Sequence, residues 1–209
     1  MSVTAEAIKQ LRETTGAGIL DVKKALTETD GDVKKAMELL RERGLAKAAK
    51  LASRVAKEGL VASYIHHSGR VGVLIEVNCV TDFVARNEDF VRLTKDIAMH
   101  IAAASPQWVK KEDVPAAVLD KEKELYKAQA RNEGKPEKIL DRIAEGKLGK
   151  FYTDNCLMEQ PFVRDEEKTI GSMVKEYAAK TGENIVVSRF VRFAVGEMVA
   201  EQSGELASQ

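Results

Sequence analysis

The sequence is short of the side chains that metal sites and disulfide-stabilised folds require. Its 209 residues contain two cysteines, Cys79 and Cys156, which are far apart and form no Cys-x-x-Cys pair. Neither a structural zinc site nor a disulfide framework is therefore indicated. Of the three histidines, His66 and His67 would point to opposite faces of a strand, and His100 belongs to the next helix, which makes a poor ligand set. We expect two reduced thiols and no metal.

The chain also has no excess of charge of either sign and no long apolar run. Its 33 Lys and Arg residues are balanced by 33 Asp and Glu residues, so no overall field attracts a polyanion or an anionic membrane. No run approaches the roughly 20 apolar residues that span a bilayer. The segment from Met1 to Lys9 has no signal-peptide core. We therefore expect a cytoplasmic protein with no membrane partner.

Motifs for nucleotide binding and for covalent catalysis are missing as well. The chain has no Gly-x-x-x-x-Gly-Lys-Ser/Thr loop and no Gly-x-Ser-x-Gly elbow. Gly16-Ala17-Gly18 follows a helix pattern, whereas a nucleotide-binding glycine loop would follow a strand. The histidines have no nearby serine or cysteine in a context that suggests a catalytic triad. We expect a binding or regulatory protein that is not an enzyme and has no cofactor.

Residues 1–43 carry the pattern of three short helices. Asp32 follows a turn and is placed to cap the third helix, and Gly44 can end that helix in a left-handed conformation. So small a bundle has no deep cleft, which favours a docking module over a site of chemistry. Ile19 or Leu20 should face outward, although packing inside the bundle is an equal alternative. The apolar positions at helical spacing are Ile8 and Leu11, then Val22, Ala25 and Leu26, then Val33, Ala36, Met37 and Leu40.

A basic stretch follows the three helices. Arg43, Lys47, Lys50, Arg54 and Lys57 recur every three or four residues without an intervening acid, which lines them along one side of a helix. A phosphate-binding stripe is one interpretation, but no aromatic side chains are interleaved for base stacking. We favour a solvated helical linker over residues 44–57, with no direct nucleic-acid partner.

The remaining segments predict an α+β core over residues 58–196 and a flexible tail over 197–209. A β-hairpin is expected from about Gly59 to Cys79, and a helix with Phe90, Leu93, Ile97 and Ile101 at core spacing should pack on it. Residues 114–150 predict a projecting antiparallel helical hairpin with a thin apolar seam. A helix at 169–180 and a strand at 184–195 would complete a three-stranded antiparallel sheet. The seam residues are Val118, Leu119, Leu125 and Tyr126 on one arm and Ile139, Leu140, Ile143 and Leu148 on the other; the last strand offers Ile185, Val187, Val191, Phe193 and Val195, interrupted by Arg189.

An acid and a large aromatic residue follow the best-formed strand pattern. Val71, Val73, Ile75, Val77 and Cys79 alternate on one strand face, and a helix pattern resumes at about residue 87. Asp82 and Phe83 therefore lie at a strand-to-helix junction, where a rigid scaffold can present them to a partner. In the alternative interpretation, Phe83 is buried under the sheet edge and Asp82 caps a turn.

Five segments together resemble one family. Thr14-Thr15-Gly16-Ala17-Gly18-Ile19-Leu20-Asp21-Val22-Lys23-Lys24-Ala25-Leu26 resembles the N-terminal signature of bacterial translation elongation factor Ts, and Glu76-Val77-Asn78-Cys79-Val80-Thr81-Asp82-Phe83-Val84-Ala85-Arg86-Asn87 resembles its second signature. Three shorter segments follow in the expected order, and the likeness covers nearly the whole chain up to Gly196. They are Asp96-Ile97-Ala98-Met99-His100-Ile101-Ala102-Ala103, Glu133-Gly134-Lys135-Pro136 and Glu159-Gln160-Pro161-Phe162-Val163.

This resemblance implies a guanine-nucleotide exchange factor for the GTPase elongation factor Tu. The first three helices are similar to a ubiquitin-associated-type bundle that docks on the nucleotide-binding domain of the GTPase. By position, Ile19, Leu20, Val22 and Lys23 fall on that predicted docking surface. Thr81, Asp82, Phe83 and Val84 match the motif that intrudes beside the bound magnesium and phosphates, with Asp82 and Phe83 as the intruding pair, and residues 114–150 match the coiled-coil arm.

The chain departs from the family pattern in three respects. Ile19 and Leu20 stand where two methionines are common, and Val80 stands where a polar or acidic residue is usual. Longer members carry two related halves in the core, whereas this chain has the single core half of the short members. A lone three-stranded sheet leaves an edge or a face uncovered, so we expect a homodimer, without a disulfide because neither cysteine lies in the last strand.

Overall fold

The computed structural model of the protein describes residues 4–15, 17–51 and 54–197, and for residues 45–51 only the helical backbone. The predicted tail lies outside these ranges except for Glu197. Three short 3-10 helices, Lys111–Asp113, Glu137–Ile139 and Leu157–Glu159, join the main elements. The α-helices and strands are α1 (Ala5–Thr15), α2 (Ile19–Glu28), α3 (Val33–Leu51), β1 (Glu58–Ile65), β2 (Val71–Cys79), α4 (Asp82–Ala85), α5 (Glu88–Ala104), α6 (Ala116–Asn132), α7 (Leu140–Asn155), β3 (Pro161–Phe162), β4 (Asp165–Thr169), α8 (Ile170–Thr181) and β5 (Val186–Ala194).

The predicted α+β class is confirmed. After three N-terminal helices, β1, β2 and β5 form a three-stranded sheet in that order. The N–H of His66 donates to the carbonyl of Val71, and the N–H of Val195 donates to the carbonyl of Arg70, each at 2.9 Å. These bonds tie the end of β1 and the end of β5 to the start of β2, so both neighbours run antiparallel to β2. A smaller antiparallel pair, β3 and β4, was not predicted.

The three N-terminal helices bury one apolar cluster at the predicted helical spacing. Oδ1 of Asp32 accepts the backbone N–H groups of Lys34 and Lys35 at 3.0 and 3.1 Å, which confirms the predicted cap of α3. The backbone hydrogen bond from Lys35 lowers the pKa of Asp32, and the charge of Lys35 and the backbone hydrogen bond from Lys34 add to this shift. The buried cluster consists of Leu11, Val22, Ala25, Leu26, Ala36 and Leu40.

Gly44 does not end the third helix, so that prediction is wrong. The helix continues through Gly44 to Leu51, because a single glycine in a helix interior costs only about 1 kcal/mol relative to alanine. Residues 44–51 of the predicted linker therefore extend α3. Arg43, the first residue of the basic stretch, forms an ion pair with Glu28 of α2.

The sheet buries one face of β2, as its alternating sequence predicts. Val73, Ile75, Val77 and Cys79 are buried while Leu74 is exposed. On β5, Arg189 Nε lies 2.7 Å from a carboxylate oxygen of Glu76. Alternate residues of β5 therefore share the face of β2 that carries Glu76 and Leu74. Three of the apolar residues that the sequence assigns to the last strand are exposed on that face: Val191, Phe193 and Val195.

The structure contains two compact units, and the chain passes between them several times. Of the described residues, the first unit contains those within Met1–Leu60, Val77–Val91 and Met173–Val186, so it holds the three-helix bundle and the segment that follows β2. The second contains the described residues within Val61–Glu76, Arg92–Ser172 and Val187–Gln209.

The predicted helical hairpin belongs to the second unit. The helices α6 and α7 pack against one another, with Ala130, Leu140 and Ala144 buried. Nζ of Lys127 on α6 lies 2.7 Å from a carboxylate oxygen of Asp141 on α7. Leu125 is exposed and so does not belong to the seam to which the sequence assigns it.

A buried histidine, His100, lies in the second unit. The ring of His100 on α5 accepts the backbone N–H of Val163 at Nδ1, at 3.3 Å, and its Nε2 lies 2.9 Å from Oε1 of Gln160. Because Nδ1 accepts and an amide oxygen can only accept, Nε2 carries the proton and the ring is neutral. Burial lowers the pKa of His100, although the hydrogen bond to Gln160 opposes this shift.

We expect Gly59→Ala to destabilise the sheet. Gly59 has a φ of +153°, and a Cβ there would lie 2.3 Å from the Val77 carbonyl oxygen, so β1 would have to move away from β2. Overpacking of this kind costs about 1–3 kcal/mol. The matched control is Gly146→Ala on the exposed face of α7, where a Cβ meets open space and should stabilise by about 0.5–1 kcal/mol. Urea unfolding measures both variants; equal effects would contradict the expectation.

The neutral state of His100 predicts a stability that falls in mild acid. The unfolded chain takes up a proton near pH 6.5 while the folded ring resists it. This contribution to stability is therefore complete above about pH 6.5 and is lost as the pH falls towards the lower folded pKa. We expect the free energy of unfolding, measured with urea at about pH 7.5 and about pH 5.5, to differ less between the two pH values in His100→Gln than in wild type. His67→Gln, an exposed histidine, is the control; an undiminished difference in His100→Gln would refute the assignment.

Candidate functional site

The segment between β2 and α5, residues 80–87, exposes the aromatic ring of Phe83 to solvent. We call it the β2–α5 loop. Phe83 is 83% exposed, so the interpretation that buries it under the sheet edge is wrong. The predicted strand-to-helix junction is confirmed, since β2 ends at Cys79 and α5 begins at Glu88. Single apolar side chains are often exposed on protein surfaces, so the exposure makes Phe83 available to a partner without requiring one.

A single turn of helix carries the exposed ring. The sequence did not reveal α4, Asp82–Ala85, which has no buried residue. Backbone bonds from Ala85 to the Thr81 carbonyl and from Arg86 to the Asp82 carbonyl, at 3.3 and 3.1 Å, close this turn. Since a helix of four residues is unstable by itself, contacts from elsewhere in the fold must hold it.

The carboxylate of Asp82 is half-exposed beside the ring. It lies 3.2 Å from a guanidinium nitrogen of Arg86, whose side chain is almost fully exposed. An exposed pair at this spacing contributes little to stability. A donor or a cation on a partner can therefore take the place of Arg86 at small cost.

The other two residues of the predicted motif are half-buried. Val84 lies on α4, and Thr81 precedes it with an extended backbone, φ −121° and ψ 151°. The hydroxyl of Thr81 donates to Oε1 of Glu183 at 2.5 Å. Of the four motif residues, only Phe83 is exposed; Asp82 is half-exposed beside it, and Thr81 and Val84 are half-buried.

Sequence reasoning missed Glu183, which supports the β2–α5 loop from the turn after α8. Its Oε2 accepts the backbone N–H groups of Val80 and Thr81 at 3.0 and 3.1 Å. These residues are 103 and 102 positions away in the chain, and no motif or spacing could join them. The thiol of Cys79 adds a bond to the carbonyl of Thr81 at 3.1 Å. Burial, followed by the charges of Glu183 and Glu58, raises the pKa of Cys79.

The predicted docking surface on α2 needs one correction. Ile19 and Leu20 are 54% and 79% exposed, and Lys23 is also exposed, so both apolar residues are available to a partner. Val22 is 0% exposed and belongs to the buried cluster of the bundle. Its side chain cannot line an external surface, because the helical repeat turns position 22 inward with Ala25 and Leu26. The surface is reduced to Ile19, Leu20 and Lys23.

The exposed groups of the β2–α5 loop and of α2 lie open to solvent. Within the described ranges 4–15, 17–51 and 54–197, no cluster of three or more His, Cys, Asp or Glu side chains could hold a metal ion. Asp82 and Phe83 project into solvent rather than lining a water-excluding cleft. Both cysteines are buried as free thiols. Among the helices that the structure describes, none has the length and apolar character to cross a membrane.

Comparison with known proteins agrees with the five segments. The sequence profile of the family described as "Elongation factor TS" matches residues 2–197. The chain is 58% identical over 203 residues to an "Elongation factor Ts" of Thermoanaerobacter sp. (strain X514), covering 97% of this chain and 100% of the relative. It is 56% identical over 209 residues to the "Elongation factor Ts" of Geobacter metallireducens, covering 100% of this chain and 97% of the relative. The chain belongs to the elongation factor Ts family.

Proposed function

We propose that the protein is a guanine-nucleotide exchange factor for the GTPase elongation factor Tu and acts in the cytoplasm during translation elongation. In this proposal it binds the GTPase, disrupts the Mg²⁺ and phosphate site, and promotes release of GDP for exchange with GTP. The observation that carries the proposal is the exposed Phe83 beside Asp82 on an anchored loop. Membership of the family supports the choice of partner.

The β2–α5 loop suits this task because a GTPase holds GDP through phosphate contacts and a bound Mg²⁺ ion, which nearby side chains can disturb. Mg²⁺ demands nearly ideal octahedral geometry, so a small displacement of the surrounding loops weakens nucleotide binding. Phe83 enters as an apolar wedge, and its burial in the complex contributes about 2–3 kcal/mol. Asp82 accepts hydrogen bonds from groups that otherwise order the metal site. The bond between Asp82 and Arg86 is weak enough to be replaced.

Exchange by this route requires no catalytic acid, base or cofactor. A factor that binds the empty GTPase more tightly than the loaded one must weaken nucleotide binding by the same ratio, because linkage is reciprocal. The protein therefore acts through differential binding and is not an enzyme in the bond-making sense. Its partner is a protein, and we propose no direct contact with nucleic acid.

Ile19, Leu20 and Lys23 supply the second contact. Two exposed aliphatic side chains followed by a cation on one helix form an apolar patch with a charged rim, the usual composition of a protein-binding surface. We assign to this patch the docking of the GTPase. The β2–α5 loop then delivers the displacing residues.

The exposed face of the sheet supports a homodimer. We define this exposed sheet face as Val61, Ile65, Leu74, Val191, Phe193 and Val195, all of which are exposed. Ile65, Leu74, Phe193 and Val195 line one shallow groove. Monomeric proteins rarely expose a contiguous apolar patch of more than a few hundred Å². A second copy of the chain, offering the same residues across a two-fold axis, would cover the patch.

The exchange assay uses elongation factor Tu loaded with fluorescent GDP and an excess of unlabelled nucleotide. We expect the wild-type protein at micromolar concentration to accelerate release, and its failure would refute the proposed function. Phe83→Ala should slow release by more than Lys23→Ala does, since the loss of a buried aromatic contact costs more than the loss of a rim charge. Circular dichroism is the control for folding. Because Phe83 is exposed, unfolding of Phe83→Ala would contradict the proposal that Phe83 acts on the partner as a wedge.

Sedimentation velocity tests the homodimer. We expect the wild-type protein to sediment with twice the mass of one chain, and Phe193→Glu to sediment as a monomer because it places a charge inside the interface. Leu125→Glu is the matched control, an exposed leucine on α6 away from the exposed sheet face. A wild-type monomer, or a dimer that persists in Phe193→Glu, would refute the proposal.

A further inference from the structure

The β2–α5 loop has too little local structure to fix the direction of Phe83. Its helix α4 spans four residues and buries none of them. Thr81 occupies the N-cap position, where a threonine oxygen usually accepts a backbone N–H of the first turn. Here Thr81 makes no such capping bond, because its hydroxyl is directed to Glu183. Thr81 therefore does not cap α4 with its side chain but connects the loop to Glu183, in another part of the chain.

Glu183 receives three hydrogen bonds from two consecutive residues. Its Oε2 accepts the N–H groups of Val80 and Thr81, and its Oε1 accepts the Thr81 hydroxyl. The residue is 9% exposed. Burying a carboxylate is unfavourable unless hydrogen bonds replace its hydration. Bonds from N–H groups to a charged acceptor are stronger than neutral ones, so the carboxylate holds these two residues firmly.

The turn that carries Glu183 is itself held in place. Gly182 follows α8 with a φ of +72°, and its N–H donates to the carbonyl of Ala178 at 2.9 Å. A left-handed glycine in this position ends a helix and redirects the chain. On the other side, Nδ2 of Asn184 donates to the carbonyl of Arg54 at 2.9 Å. Glu183 is thus fixed on both sides within the first unit, which also contains Val80 and Thr81.

We propose that Glu183 is the positioning residue of nucleotide exchange, acting through Val80 and Thr81 to set the direction in which Asp82 and Phe83 leave the sheet. This inference rests on the proposed function. A loop that is ordered before binding loses less conformational freedom when it enters the partner. Glu183 touches neither Phe83 nor the partner in this scheme. Its effect is to keep the wedge in the orientation that fits.

The test is the maximal rate of GDP release from elongation factor Tu with Glu183→Gln. This change removes the negative charge of the acceptor: the remaining amide oxygen can still accept the N–H groups of Val80 and Thr81, but without the charge that strengthens these bonds. We expect the maximal rate to fall roughly tenfold or more, as for the loss of a charge-assisted hydrogen bond. The concentration of factor that gives half-maximal release should change less, since Ile19, Leu20 and Lys23 are untouched. Glu166→Gln, an exposed carboxylate on β4, is the matched control and should keep the wild-type rate.

A double-mutant cycle separates positioning from general destabilisation. If Glu183 acts through the wedge, Glu183→Gln should slow release much less in the Phe83→Ala background than in wild type. Amide hydrogen exchange measured by NMR should become faster at Val80 and Thr81 in Glu183→Gln. Thr81→Val removes one of the three bonds while keeping the shape of the side chain, and gives the same test if Glu183→Gln does not fold.

The outcomes distinguish this inference from the function on which it rests. If wild-type protein does not accelerate release, the proposed function is wrong. Two results with an active wild-type protein would show that Glu183 is not a positioning residue. In the first, Glu183→Gln accelerates GDP release as strongly as wild type. In the second, Glu183→Gln slows release by the same factor in the Phe83→Ala background as in wild type.

Discussion

The burial of one face of β2 is the constraint on which the rest of the structure depends. Val73, Ile75, Val77 and Cys79 are all buried, and a shift of one residue in the register would expose the whole set. The point at which the chain leaves the sheet is therefore fixed at Cys79. Everything that follows, from the turn at Thr81 to the start of α5, takes its position from that exit. A flexible strand could not present Phe83 reproducibly.

Features encoded by neighbouring residues were predictable, and features made by distant residues were not. The alternation of β2 and the Asp32 cap need only local sequence, and both are confirmed. Val22 shows two signals in conflict: the resemblance placed it on the docking surface, whereas the helical spacing placed it in the core, and the spacing was right. Glu183 could not be found, because its partners are more than a hundred residues away and an isolated glutamate in a turn has no distinguishing pattern.

The sheet leaves apolar side chains exposed on one face. We expected a lone three-stranded sheet to leave an edge or a face uncovered, and Val191 and Phe193 of β5, together with Val195 just after it, are exposed. Alternation identifies a face but does not say what covers it. The pairing of Arg189 with Glu76 shows that this face is the one opposite to Ile75. The homodimer proposed above would cover this face with a second copy of the chain.

The thiol of Cys79 lies in an environment that disfavours its reaction with oxidants, since it is buried and its pKa is raised. A thiolate, and not a thiol, reacts with peroxide or disulfides. Burial and the nearby carboxylates raise the pKa of Cys79, so the sulfur keeps its proton and continues to donate it to the carbonyl of Thr81. The same electrostatic environment that holds the loop thereby suppresses the reactivity of the only cysteine beside it within the described residues. We therefore expect oxidative conditions that inactivate exposed thiols to leave the β2–α5 loop and the exposed Phe83 unchanged.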